Sequence, residues 1–157
     1  KFAFNCPLLE IVNISHQPHI TGGAIESISQ CNLLKKLVMR DCPNITDDSI
    51  AESCKFWSNL LTFDISSSDQ LTDICIIAIA SYCPQLRNID MSHCVRLTDV
   101  SLVALSENCS FLESVNIRQS VHITDAGVVK LMKSCPMLRN LDIAYCESIF
   151  DTAVVGL

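Results

Sequence analysis

Leucine returns along this chain at a fixed interval. It stands at Leu9, Leu34, Leu60, Leu86, Leu112 and Leu138. Apolar partners follow three residues on, at Val12, Leu37, Phe63, Ile89, Val115 and Leu141, and two further on, at Ile14, Met39, Ile65, Met91, Ile117 and Ile143. Each unit thus ends in apolar–polar–apolar alternation, which predicts a short strand with one face turned inward. Behind the strand the apolar spacing becomes helical, as in Leu102 and Leu105 or Val128 and Leu131. The units start at Cys6, Cys31, Trp57, Cys83, Cys109 and Cys135; the first is 25 residues long, the next four are 26, and the sixth is truncated. A fixed period of this size means a solenoid, in which each repeat contacts only its neighbours. The strands must run parallel, because a return segment of similar length follows each one. The predicted fold is α/β: a horseshoe of about six repeats over residues 1–157, with parallel strands on the concave face and helices on the convex face.

Polar residues punctuate the units at fixed places. Ile or Leu followed by Thr-Asp recurs at Ile45-Thr46-Asp47, Leu71-Thr72-Asp73, Leu97-Thr98-Asp99 and Ile123-Thr124-Asp125. Threonine suits a helix N-cap, and an Asp just after it sits at the positive end of the helix dipole. Cys83-Pro84 and Cys135-Pro136 mark where two helices close. Three departures stand out. Thr21-Gly22-Gly23 takes the place of Thr-Asp in the first unit, and Phe150 replaces the capping Thr in the sixth. Trp57 occupies a column otherwise held by Cys, where local repacking is expected. Neither end shows the polar capping repeat that a solenoid needs, so the chain is expected to be a fragment of a longer protein.

Ten cysteines suggest a disulfide framework until their positions are read. Cys6, Cys31, Cys83, Cys109 and Cys135 share one repeat position, and Cys42, Cys94 and Cys146 share a second. Cysteines recurring in this way behave as small buried apolar residues. Neither column pairs off, which predicts reduced thiols and a cytoplasmic or nuclear protein. The competing reading is a secreted, disulfide-stabilised ectodomain glycosylated at the sequons of Asn13, Asn44 and Asn108; the Asn44 sequon falls out of the repeat itself.

Composition narrows the function. Apolar residues make up 49% and charged ones 18%, which excludes disorder. A net charge of −6 argues against nucleic acid or an anionic membrane as partner. The longest apolar run, Ile74 to Ala80, is far short of the roughly 20 residues that span a bilayer. His16 and His19 stand close, but His93 and His122 lie repeats away and no C-x-x-C occurs, so no metal site is predicted. No nucleophile motif is present, and Thr21-Gly22-Gly23 is too short for a phosphate loop; neither catalysis nor a cofactor is expected.

The signature C-P-x-L-x-x-L-D-x-S-x-C-x-x-[IL]-T-D runs from Cys83 to Asp99 and nearly repeats from Cys135 to Cys146. It resembles the cysteine-containing subclass of leucine-rich repeats, best known from F-box/leucine-rich-repeat proteins, the substrate receptors of cullin–RING ubiquitin ligases. The resemblance covers essentially the whole chain. It implies a leucine-rich-repeat solenoid that recognises a protein substrate on its concave face, with ubiquitin transfer left to partners. In that family an F-box outside the repeats recruits the ligase adaptor, and these residues hold no such segment. Other proteins with these repeats, including a family of mitotic-exit regulators, use them as a scaffold. A leucine-rich-repeat scaffold or regulator with no role in ubiquitination is therefore the alternative.

Candidate binding residues lie between the inward-pointing apolar ones. One column reads Asn13, Val38, Asp64, Asp90, Asn116, Asp142, an acidic-to-polar ladder suited to gripping a basic segment. The plainer reading is that Asp fits the repeat there and solubilises the sheet. The next columns supply Arg40 and Arg118, then Asp41, His93 and Tyr145. Tyr145 with Arg118 one repeat back is a hot-spot pair by residue type. The candidate partner-binding set is Arg40, Asp41, Asp64, Asp90, His93, Asn116, Arg118, Asp142 and Tyr145. On the convex face Ile74 and Ile77, with Val100 and Val103, form a candidate exposed apolar patch, the alternative being packing between helices or against a flanking segment.

Overall fold

The computed structural model describes residues 6–150. Six short strands, β1 (Ile11–Asn13), β2 (Lys36–Val38), β3 (Thr62–Asp64), β4 (Asn88–Asp90), β5 (Ser114–Asn116) and β6 (Asn140–Asp142), form one parallel sheet in sequence order. Register is unshifted throughout, so Val12, Leu37, Phe63, Ile89, Val115 and Leu141 stand abreast. Between the strands run α1 (Gly22–Ile28), α2 (Asp47–Ser53), α3 (Asp73–Tyr82), α4 (Asp99–Asn108) and α5 (Asp125–Ser134), each packed on the next. Strands stack at about 4.8 Å, whereas packed helices need about 8–10 Å. The stack therefore curves with its strands inside. This is the α/β solenoid that the periodicity predicts.

The repeating columns form one continuous core. Leu34, Leu60, Leu86 and Leu112 are fully buried between sheet and helices, with Leu37, Phe63, Ile89 and Val115 beside them. The ten cysteines are free thiols, nine of them buried. In the two repeating columns the position suits cysteine better than a merely small apolar residue, because the weak S–H donor of the buried members finds a carbonyl about one repeat back. Cys109 donates to the Cys83 carbonyl and Cys135 to the Cys109 carbonyl, both at 3.8 Å. In the second column Cys42 donates to Ile14, Cys94 to Ile65 and Cys146 to Ile117, at 3.2, 3.2 and 3.0 Å. Burial pushes the thiol of Cys54 up to about 11 and those of Cys94 and Cys109 up to about 12, so these three stay protonated and unreactive.

The Thr-Asp punctuation does more than cap. Thr46, Thr72, Thr98 and Thr124 are N-caps whose hydroxyls accept a backbone N–H of the first helical turn. The Asp that follows reaches forward to the next repeat. Asp47 accepts from the Thr72 N–H and hydroxyl at 2.9 and 2.7 Å, Asp73 likewise from Thr98 at 3.0 and 2.7 Å, and Asp99 from Thr124 at 2.8 and 2.6 Å. Each Asp is thus a two-point rivet between repeats. The first repeat has Gly22 at the Asp position, and there the Thr46 N–H turns to the Ser49 hydroxyl at 3.2 Å. In the sixth repeat Phe150 keeps only the backbone half, its N–H donating to Asp125 at 2.7 Å.

Trp57 is accommodated in the cysteine column of the third repeat. It is completely buried, and the end of α2 tightens into a 3-10 turn at Cys54–Phe56 where α3, α4 and α5 continue as α-helix. Its indole Nε1 finds no partner among the described residues, a buried donor left unmade that costs about 1–3 kcal/mol.

Candidate concave-face binding site

The strand face carries a shallow groove of about 340 Å³ that runs from β2 to β6. Strand alternation puts two rows of side chains on it. The row that ends each strand is the one the sequence singles out, Asp64, Asp90, Asn116 and Asp142. The row that opens each strand, Lys36, Thr62, Asn88, Ser114 and Asn140, lines the same groove and was missed. The signal for it was present, since residues flanking an inward-pointing position share the opposite face.

The acidic ladder has a local task. One oxygen of each member accepts the backbone N–H two residues on: Asp64 from Ser66 at 3.1 Å, Asp90 from Ser92 at 3.0 Å, Asn116 from Arg118 at 3.0 Å and Asp142 from Ala144 at 2.9 Å. These are Asx turns, which bend the chain off the strand. The next residue in each repeat is left-handed: His16, Asp41, Ser67, His93, Gln119 and Tyr145 have φ between 49° and 61°. The three rim candidates Asp41, His93 and Tyr145 all belong to this column and are exposed.

What remains for a partner is the second oxygen, and it changes along the groove. Asp64 is only 4% exposed, against the expectation of a solvent-facing position. Arg40 explains this. Its Nε and Nη2 donate to Asp64 Oδ2 at 2.7 and 2.6 Å, covering the carboxylate, and Asp64 in turn raises the Arg40 guanidinium above its ordinary value. Asp90 is half-buried, and its Oδ2 accepts from Asn116 Nδ2 at 3.1 Å. Asp142 is exposed, and its Oδ2 has no partner among the described residues. The ladder closes at one end and opens at the other.

Arg118 lies at the open end. Its guanidinium stacks over the Tyr145 ring at 4.5 Å from the centroid, and it makes no ion pair among the described residues. Tyr145 is 67% exposed. At the other end of the same rim Asp41 faces His16 at 3.3 Å. His93 lies between the two, on the same turn column, its backbone N–H donating to the Arg118 carbonyl at 2.8 Å. On the convex face Ile74, Ile77 and Val100 are exposed, while Val103 is half-buried.

A family model described as "Leucine Rich repeat" matches residues 108–132, the length of one repeat. Among curated proteins none matches the chain. Among solved structures, a chain in the crystal structure of the yeast Rad7 and Elc1 complex is similar at a TM-score of 0.78 and 24% identity, covering 88% of this chain and 36% of that one. The present chain thus spans about a third of that relative's length. Actin-binding site 2 of leiomodin-1 is similar at a TM-score of 0.54 and 14% identity, covering 88% and 72%. At these identities the likeness carries the fold.

Proposed function

We propose, with this chain established as a leucine-rich-repeat solenoid, that it is a protein-recognition domain whose concave face holds a protein partner. The observation that carries this reading is the groove across β2–β6, whose polar groups are held by the sheet and its turns before anything binds. A surface already ordered in this way loses little conformational entropy on association. The charge of −6 favours a protein over nucleic acid or an anionic membrane as the occupant.

The finer reading is the substrate-binding part of an F-box/leucine-rich-repeat receptor of a cullin–RING ubiquitin ligase, acting in the cytoplasm or nucleus and meeting the ligase adaptor through an F-box outside these residues. The repeat signature from Cys83 to Asp99 supports it. So does the likeness to a chain crystallised in a complex with another protein. The scaffold reading rests on the same surface without the ligase. Purification of the full-length protein from its own cells, followed by mass spectrometry, separates the two. Recovery of a cullin and its adaptor supports the receptor; one stable partner without ligase subunits supports the scaffold.

A further inference from the structure

The solenoid poses the same pair of residues twice. Arg40 stands two residues past the end of β2, diagonal to Asp64 at the end of β3, and Arg118 stands two residues past the end of β5, diagonal to Asp142 at the end of β6. The backbone register is identical in the two places. The first pair is an ion pair at 2.6 Å, while the second makes none among the described residues. One difference, the one that touches the guanidinium, lies three residues beyond the Asp. The first pair has Ser67 at that position and the second has Tyr145, whose ring takes the guanidinium.

The turn is left-handed in all six repeats, Ser67 at the closed pair included, so the backbone does not distinguish the two pairs. What distinguishes the open pair is its side chains: the Arg118 guanidinium lies over the Tyr145 ring, and Asp142 Oδ2 has no partner among the described residues. A cation over an exposed ring and an exposed ion pair are contacts of similar, modest strength, so both groups stay within a partner's reach.

We infer that Arg118, Tyr145 and Asp142 form a bipolar anchor that takes an acidic side chain of a protein partner. The carboxylate lies against the in-plane N–H edge of the Arg118 guanidinium, which the Tyr145 ring holds flat, and a backbone or ammonium N–H of the same segment donates to Asp142 Oδ2. A guanidinium lying over a ring leaves its own in-plane edge of N–H donors free, the geometry a carboxylate meets with two parallel hydrogen bonds. The inference rests on the concave-face reading and deepens it by naming what the face selects.

The test is a selection of random dodecapeptides, displayed on phage, against the folded chain, followed by fluorescence anisotropy on the synthetic consensus peptide. The consensus is expected to carry an Asp or Glu. Its replacement by the amide, and Arg118→Ala, are each expected to weaken binding about tenfold, a step characteristic of a charge-assisted contact. Tyr145→Ser restores the residue found at the closed pair; it is expected to weaken binding comparably although Arg118 is untouched, because Arg118 then falls onto Asp142. Tyr145→Asn, which suits a left-handed backbone, serves if the serine variant fails to fold. Arg40→Ala is expected to change affinity less than about twofold, as for a remote surface charge. A selection that yields no binder or no acidic consensus, or an Arg118→Ala variant that binds normally, overturns the inference. The receptor reading stands or falls separately, on the ligase subunits recovered from cells.

Discussion

The two Arg–Asp pairs differ in what they leave for others. In the second and third repeats, Arg40 and Asp64 satisfy one another, and the carboxylate is buried beneath its partner. In the fifth and sixth, Arg118 lies on Tyr145 and Asp142 keeps an oxygen exposed. The backbone register is the same; where the closed pair has Ser67 on the turn, the open pair has Tyr145 under its guanidinium. Repeat symmetry thus offers an internal control, because the closed pair shows what the open pair would become without the tyrosine.

The contrast between interior and margin extends to the thiols. In the middle of the stack, burial pushes Cys54 to about 11 and Cys94 and Cys109 to about 12, while Cys6 at the margin is exposed. A thiol held protonated in the fold but free to ionise when unfolded leaves the unfolded state binding fewer protons above the ordinary thiol pKa. Stability is then full below about pH 9 and falls as pH rises toward 11–12, by about 1.4 kcal/mol per pH unit for each such thiol. Urea unfolding from pH 8 to 11 is expected to show this decline, the largest effect predicted here. A flat profile would mean that the middle repeats bury their thiols no better than the margin.

A smaller effect separates the helix face from the strand face at the open end. The α4–α5 contact is riveted even though the strand-face pair beside it is open. Gly127 faces the Asp99 carboxylate so closely that an added Cβ would lie 2.9 Å from its Cγ and 3.2 Å from its Cα. Alanine would ordinarily favour a helix over glycine by about 1 kcal/mol. Gly127→Ala is nevertheless expected to destabilise by about 1–3 kcal/mol, because it crowds the rivet. A gain in thermal midpoint would show that the rivet gives way and that the whole C-terminal end is loose.

Much of this was legible in the chain. The leucine, strand and cysteine columns fix the fold because each depends on spacing alone, and the N-caps at Thr46, Thr72, Thr98 and Thr124 follow from local helix chemistry. The partners of Asp47, Asp73 and Asp99 were not legible, since each lies 25 residues on and a reading confined to one helix sees only the dipole. The nine candidate residues do gather on the strand face and its rim, but spacing places Asp64 and Asp142 identically. Only the rotamers of Arg40, turned onto Asp64, and of Arg118, turned onto Tyr145, tell the covered carboxylate from the open one.

The most direct measurement is a pair of double-mutant cycles on folding stability, Arg40→Ala with Asp64→Ala and Arg118→Ala with Asp142→Ala. The expected coupling is about 1–2 kcal/mol for the first pair, whose carboxylate is buried, and below about 0.3 kcal/mol for the second. Equal couplings in the two cycles would contradict the account, for they would mean that Tyr145 does not hold the second pair apart.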